Sequence, residues 1–205
     1  MGKADGKAIG ISRRSLIEGG IAAAALIATG GVTAAFGQSE EALRPPGGQN
    51  PDRLWEACIR CDRCRAACPT NAIGVESLSS NIIGARLPVM KFRDGYCTMC
   101  DGEYRCIQAC PTGALCAFDP HADKIGLAVV DEKECQLYGY SGTCAAPCVD
   151  SCPWNALSLD GAKRLVVDEH LCNGCGACEQ ACPTNAYGNY DGTSRRGINV
   201  EVFHG

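Results

Sequence analysis

The sequence predicts an α+β fold made of four short and similar units, with short helices, short strands and many loops. The chain has 205 residues, and sixteen of its 17 cysteines fall into four sets of four. The first cysteines of successive sets lie 39, 38 and 37 residues apart, which is typical of an internal repeat. Each set ends with three residues followed by Cys-Pro. The repeats cover about residues 51–80, 90–119, 128–159 and 165–190.

The cysteine spacing predicts the chemistry of each unit. The first and fourth sets follow C-x2-C-x2-C-x3-C-P, the pattern with which bacterial ferredoxins bind a cubane iron–sulfur cluster. The second set has five residues before its third cysteine, and the third set has eight residues after its first. A longer loop can still return a thiolate to the same position, so we predict four [4Fe-4S] clusters. The predicted iron ligands are Cys58, Cys61, Cys64, Cys68, Cys97, Cys100, Cys106, Cys110, Cys135, Cys144, Cys148, Cys152, Cys172, Cys175, Cys178 and Cys182.

The repeats predict two ferredoxin-like modules in tandem. In two-cluster ferredoxins the first three cysteines of a run hold one cluster and the fourth reaches the other, so two repeats make one module. Gly174 and Gly176 suit a ligand loop with positive φ angles. Asp160-Gly161 lies between two apolar runs and predicts a hairpin that joins sets three and four. The segment 75–92, between sets one and two, is predicted to be mostly loop.

Two other uses of clustered cysteines fit the spacing less well. Zinc sites use paired C-x2-C knuckles, and nothing in zinc binding requires the repeated Cys-Pro ending. Disulfide frameworks do not require cysteines at positions i, i+3 and i+6. Cys135 begins the most altered set, so a three-iron cluster or an empty site in set three stays an alternative. Cys116 belongs to no set and is predicted to be a buried or free thiol, with a replacement ligand as the alternative.

The rest of the sequence offers little other chemistry. A net charge of −4, which bound clusters make more negative, argues against a nucleic-acid partner. The three histidines, His121, His170 and His204, are scattered along the chain. No nucleophile triad, carboxylate pair or phosphate-binding glycine loop stands out. We therefore expect an electron-transfer component with no catalytic residues, and not a stand-alone enzyme.

The N-terminal residues predict a targeting segment. Residues 1–37 combine basic side chains with an uncharged stretch rich in alanine and glycine, which is the pattern of a signal peptide. Residues 12–17, Ser-Arg-Arg-Ser-Leu-Ile, are similar to a twin-arginine signal, which exports folded proteins. A retained membrane anchor is the alternative. Because of Pro45-Pro46, residues 38–50 predict an extended linker, and residues 51–205 form the predicted cluster-binding region.

Several motifs beyond the cysteine spacing narrow the family. They are the twin-arginine leader, Arg44-Pro-Pro-Gly47, Ala57-Cys-Ile-Arg-Cys61, Ala109-Cys-Pro-Thr-Gly-Ala-Leu115 and Ile125-Gly-Leu-Ala-Val-Val130, followed by the expanded third set. Together they resemble the NapG/MauM ferredoxin-type proteins over nearly the whole chain. The resemblance implies a periplasmic protein with four [4Fe-4S] clusters, exported in the folded state by the twin-arginine machinery and associated with the membrane through a partner.

The resemblance also implies partners. An integral membrane polyferredoxin of the NapH kind, which oxidises quinol, would supply electrons, and a periplasmic cytochrome c or nitrate reductase would receive them. In the MauM branch the pathway is methylamine utilisation, and a maturation or scaffold role for a partner redox enzyme is a further alternative. Larger four-cluster subunits that the chain resembles pair set one with four and set two with three, whereas the hairpin favours three with four. We predict the nested arrangement, with Cys182 beside Cys58.

Overall fold

The computed structural model of the protein describes residues 42–78, 84–138, 143–186 and 195–203. The predicted signal segment, the first residues of the predicted linker and His204 lie outside these ranges. Within the described ranges, no helix is both long enough and apolar enough to cross a membrane.

The first half of the described chain contains short helices and one strand pair. Its elements are α1 (Pro51–Ala57), α2 (Arg63–Ala67), β1 (Ile73–Val75), β2 (Pro88–Met90), a 3₁₀ turn (Met99–Gly102) and α3 (Arg105–Gln108). Helix α1 begins where the Asn50 side chain accepts the N–H of Arg53 at 3.0 Å. Strands β1 and β2 are antiparallel, with Ile73 opposite Met90. The segment 75–92, predicted to be mostly loop, therefore also contains a strand.

The second half contains two antiparallel strand pairs. Its elements are β3 (Leu127–Val130), α4 (Pro147–Asp150), β4 (Leu157–Leu159), β5 (Leu165–Val167), α5 (Ala177–Ala181), a 3₁₀ turn (Pro183–Ala186) and β6 (Ile198–Glu201). The predicted hairpin is confirmed, because β4 pairs with β5 and the Asp160 carboxylate accepts the N–H of Arg164 at 2.8 Å in the turn. Strand β3, before set three, pairs with β6, after set four. The two pairs together enclose sets three and four.

Two clusters of buried side chains hold these short elements together. The first joins the first half to Cys175, Ala177 and Val200 of the second half, and Trp154 packs against both clusters. The two halves therefore share apolar contacts. The second cluster consists mainly of small side chains and thiols, because its buried members are Ala128, Ala146, Cys148, Ala156, Leu157, Leu165, Cys172, Cys178 and Ile198.

Residues 42–50 pack against the first half, although the sequence predicts them as part of an extended linker. Pro45 and Pro46 are among the most completely buried residues of the described chain. Arg44 donates from Nη1 to the carbonyl of Pro88 and from Nη2 to the carboxylate of Glu76, both at 3.1 Å. The side chains of this ion pair are only 15% and 6% exposed. The segment is thus part of the fold from Arg44 onward.

Loss of this buried ion pair is expected to destabilise the holoprotein. Glu76→Gln leaves the Arg44 guanidinium buried without its counter-charge, a change that costs about 3 kcal/mol of unfolding free energy. The midpoint of anaerobic urea unfolding should fall accordingly. Arg164→Gln is the matched control, because the Arg164 side chain is 61% exposed in its pair with Asp160 and should contribute less than about 1 kcal/mol. Equal midpoints for both variants would contradict the expectation.

Candidate iron–sulfur sites

Four groups of four cysteines come together in the fold, and each takes its fourth member from a neighbouring set. Site A consists of Cys58, Cys61, Cys64 and Cys110, which line one open cavity of about 440 Å³. Cys61 is the one exposed thiol among the seventeen cysteines, all of which lie in the described residues and are free of disulfides. Site A is therefore the most accessible of the groups.

Sites B and D have the same composition, and unlike site A each contains at least one buried thiol. Site B consists of Cys68, Cys97, Cys100 and Cys106, which line a cavity of about 290 Å³ that Pro46 also lines. Site D consists of Cys152, Cys172, Cys175 and Cys178, which line a cavity of about 300 Å³ that Trp154 and Val200 also line. In site D only Cys152 is not fully buried.

Site C consists of Cys135, Cys144, Cys148 and Cys182. Burial raises the pKa of the Cys148 thiol to about 11, and the charges of Cys182, Cys144 and Cys135 raise it further, in that order. Burial also raises the pKa of Cys135, which feels the charges of Cys182 and Cys144. Cys135, the ligand of the most altered set, therefore lies with the other three thiols despite the longer loop.

These groups show which sets form a pair. Cys110 of set two completes site A and Cys68 of set one completes site B, so sets one and two form one module. Cys152 lies in site D and Cys182 in site C, so sets three and four form the other. The nested arrangement, with Cys182 beside Cys58, is wrong. The short β4–β5 hairpin holds sets three and four side by side, and the β1–β2 pair does the same for sets one and two.

Helix geometry explains why neighbouring cysteines serve different sites. Cys178 lies within α5, and Cys182 follows directly after its last residue. The thiol of Cys178 faces site D, whereas that of Cys182 belongs to site C. The same relation holds for Cys64, within α2, and Cys68, which follows it. One short helix therefore contributes to two sites.

The raised pKa values of the thiols indicate that metal binding at these sites must release protons. Burial raises the pKa of Cys97 and Cys106 to about 12 and that of Cys64 and Cys175 to about 11. The charges of neighbouring thiols add to this effect. Without a positive core these thiols are therefore neutral at physiological pH, and thiolate-bound iron must displace their protons.

Backbone N–H groups near the thiols also fit a thiolate-bound cluster. Three of them donate to cysteine sulfurs at 3.4 Å, which stabilises negative charge on the sulfur. These bonds run from Ala128 to Cys172, from Ala146 to Cys144 and from Ala156 to Cys152. Among the described residues, no group of three or more His, Cys, Asp or Glu side chains is arranged around a single metal ion. A cubane binds its thiolates at four separate irons, so the residues of the four sites fit the cluster predicted from the sequence.

Sites B and D meet directly. The N–H of Cys97, in site B, donates to the carbonyl of Cys175, in site D, at 2.8 Å. Gly174 and Gly176 have positive φ, as the sequence predicts. At Gly176 a Cβ atom would also lie 2.0 Å from the ring of Phe92, so a side chain there would separate the loop from the first half. The absence of side chains at Gly174 and Gly176 lets the site D loop pack closely on Gly126 and on the ring of Phe92.

Other residues singled out from the sequence lie outside the four sites. The Cys116 thiol donates to the carbonyl of Gly47 at 3.2 Å and lines none of the three described cavities. His121 packs edge-to-face on Trp154, with ring centroids 5.6 Å apart. His170 is exposed. Cys116 therefore anchors the segment around Gly47 to the fold.

Comparisons with known proteins agree with this arrangement. A family model described as a 4Fe-4S dicluster domain matches residues 57–114 and 141–186. The ferredoxin-type protein NapG of Escherichia coli strain K12 is 33% identical over 155 residues. The methylamine utilization ferredoxin-type protein MauM of Methylorubrum extorquens is 33% identical over 189 residues, which cover 83% of this chain and 84% of MauM. The chain belongs to the NapG/MauM ferredoxin-type family. It is therefore an iron–sulfur protein of the dicluster kind.

The similarity to individual relatives covers different shares of the chain. The similarity to NapG covers 68% of this chain and 65% of NapG, so the chain spans less than two thirds of that relative. The ferredoxin-type protein NapF of Escherichia coli is 27% identical over 76% of this chain and 88% of NapF. The family model matches neither Cys135 nor β6. These two parts of the fold are nevertheless in contact, since Gly197, just before β6, packs on Cys135.

Proposed function

We propose that the protein is a periplasmic electron relay that carries four [4Fe-4S] clusters, one in each of sites A to D. A bound [4Fe-4S] cluster accepts and releases one electron, without making or breaking a bond in a substrate. The sixteen cysteines of the four sites are the proposed iron ligands, with no catalytic residue beside them.

One observation carries this proposal: the four sites lie next to one another in the order A, B, D, C. Sites A and B are interlocked by Cys68 and Cys110. Sites C and D are interlocked in the same way by α5. The hydrogen bond from Cys97 to Cys175 joins sites B and D. A storage or scaffold protein has no need for a continuous row, whereas transfer of electrons over the length of the protein requires one.

The difference in solvent exposure between the sites of the row A, B, D, C also supports a relay. The cysteines of site D are the most enclosed, and Trp154 lines that site against solvent. At the other extreme, Cys61 of site A is exposed, and the neighbouring Ile59 is 63% exposed. An exposed ligand beside an exposed apolar side chain suits contact with a redox partner. We therefore assign site A as one point where electrons enter or leave.

The proposed partners are a quinol-oxidising membrane polyferredoxin of the NapH kind and a periplasmic cytochrome c or nitrate reductase. Methylamine utilisation is the second candidate pathway, because the similarity to MauM covers 84% of that protein, compared with 65% of NapG. Export by the twin-arginine route is part of the proposal. Cell fractionation tests it: the full chain should be periplasmic, and replacement of both Arg13 and Arg14 by lysine should retain it in the cytoplasm.

Reconstitution tests the relay itself. Anaerobically purified protein should contain about sixteen irons and should support quinol-dependent nitrate reduction when combined with the two partners. Cys106→Ala removes a ligand of site B, inside the row, and should reduce this flux at least about tenfold. Cys116→Ala is the matched control and should retain both the iron and the flux.

Three outcomes would contradict the proposal in different ways. Full iron content with no electron flux would favour the maturation or scaffold role. About twelve irons in the wild-type protein would indicate that set three holds no cluster. Unchanged flux in Cys106→Ala, with the iron of one site lost, would show that electrons do not pass along the row.

A further inference from the structure

Residues 195–201, which are β6 and the three residues before it, contain no cysteine, yet they line two sites. A Cβ atom on Gly197 would lie 2.8 Å from the Cα atom of Cys135, so this backbone packs directly on site C. Val200 lines the cavity of site D. The segment also lies beyond the part of the chain that the family model matches. Residues of this segment are therefore neighbours of both sites C and D.

Arg196 is the buried charged residue of this segment. It is 3% exposed, and its Nη1 donates to the main-chain carbonyl of Glu179 in α5. Its main-chain N–H donates to Asn199 Oδ1 at 2.8 Å. Its Nε atom is buried and has no hydrogen-bond partner among the described residues. A buried guanidinium with an unpartnered N–H is costly unless a negative group lies nearby.

The Glu179 carbonyl that accepts from Arg196 Nη1 also accepts the N–H of Cys182, a cysteine of site C, at 3.3 Å. The charges of two acidic groups act on the guanidinium from this side. Burial lowers the pKa of Arg196, whereas the charges of Glu179 and Cys182 raise it and that of Arg93 lowers it. The Glu179 carboxylate is itself held by the N–H of Val200 at 2.7 Å, and burial raises the pKa of that carboxyl. The other negative group is a cysteine of site C. Arg196 therefore lies in the field of site C, in a place where water screens charges weakly.

We propose that Arg196 is a positioning residue of site C, whose buried positive charge stabilises negative charge on the sulfur ligands there. This inference rests on the proposed function, because it requires a cluster in site C. An electron added to a cluster increases the negative charge of its site, so a fixed cation favours the reduced state. Arg196 thus raises the reduction potential at site C, the end of the row opposite the exposed Cys61.

A purely structural role makes a different prediction. In that case Arg196 only ties the segment before β6 to α5 through the Glu179 carbonyl, and its loss changes stability without changing any potential. Arg196→Lys separates the two roles further, since lysine keeps the positive charge but cannot reproduce the guanidinium contact with the Glu179 carbonyl. Arg195→Gln is the matched control, because Arg195 is 50% exposed and pairs with Asp131 and Glu201 on the surface.

A redox titration of the anaerobic holoprotein, monitored by electron paramagnetic resonance, tests the proposal. In Arg196→Gln the reduced-to-oxidised ratio of one cluster should fall about tenfold at a fixed applied potential, which is 59 mV for a one-electron couple. Arg196→Lys should give a smaller shift of the same signal, and Arg195→Gln none. The signal that disappears in Cys182→Ala identifies site C.

The outcomes distinguish this inference from the proposed function. Four unchanged potentials in Arg196→Gln, with about sixteen irons retained, would overturn the role of Arg196 and leave the relay intact. If Arg196→Gln does not retain iron, the titration of the equally uncharged Arg196→Met decides, and an unshifted site C signal there overturns the role of the Arg196 charge. A wild-type protein without a cluster in site C would instead overturn the proposed function, and this inference with it.

Discussion

Anaerobic removal of iron is expected to abolish the tertiary structure of the protein. In the part of the chain that the structure describes, the helices and strands have three to seven residues, too short to be stable by themselves. Three of the nine buried members of the second cluster are cysteines and three are alanines, so apolar burial is limited. Structural metal sites contribute on the order of 10 kcal/mol each, whereas folded domains have a net stability of about 5–15 kcal/mol. Removal of the clusters therefore takes away more free energy than the net stability of the folded protein, and the apoprotein should unfold.

Near-ultraviolet circular dichroism and limited proteolysis measure this effect. After treatment with an iron chelator and reductant, the aromatic dichroism should disappear, and the region from Pro45 to Phe203 should become sensitive to protease. The control is the same chelator already saturated with iron, which should leave both readouts unchanged. An apoprotein that keeps its aromatic dichroism and its protection from protease would show that packing alone holds the fold.

Paired cysteine substitutions are expected to show the exchange of ligands between sets. Cys182→Ala combined with Cys135→Ala should alter only one cluster, because both thiols belong to site C. Cys182→Ala combined with Cys178→Ala should alter two, although these residues lie four positions apart in one stretch of chain. The expected iron contents are about twelve and about eight, respectively, if an altered site loses its cluster.

If an altered site keeps three irons, the iron content does not count the affected sites directly. The number of altered signals in the electron paramagnetic resonance spectrum then shows how many sites each double variant affects. The corresponding double variants of the first module are the matched control: Cys110→Ala should affect the same site as Cys58→Ala and a different one from Cys106→Ala. Loss of two clusters in the Cys182 and Cys135 variant, with loss of one in a Cys182 and Cys58 variant, would restore the nested arrangement.

Local patterns in the sequence predict local structure well here. The Asp160-Gly161 turn and its two apolar flanks identify the β4–β5 hairpin, because turn chemistry and strand pairing act over a few residues. The positive φ angles of Gly174 and Gly176 follow from the same kind of short-range constraint. The four cysteine sets are recognisable because cubane ligation fixes their spacing within a few residues.

Contacts between distant segments could not be predicted in the same way. The pairing of the sets depends on which hairpins form, and the motifs shared with larger subunits indicated a different pairing. Arg44 and Pro46 look like part of a linker in sequence, and only the partner Glu76 and the wall of site B reveal that they are packed. Arg196 follows the last cysteine by fourteen residues, and nothing in its surroundings along the chain indicates a site.

Because the fourth cysteine of each set belongs to the site of the paired set, synthesis of the chain completes the four sites in a fixed order. Site A begins with Cys58 but is incomplete until Cys110 has been synthesised, four residues after Cys106 completes site B. In the second module, Cys178 completes site D and Cys182 completes site C, again four residues apart. Each module therefore becomes competent for both clusters almost at once as the chain leaves the ribosome, and the N-terminal module does so first. If each site holds a cluster as proposed, we expect cluster insertion in two steps, each of which fills a pair of sites.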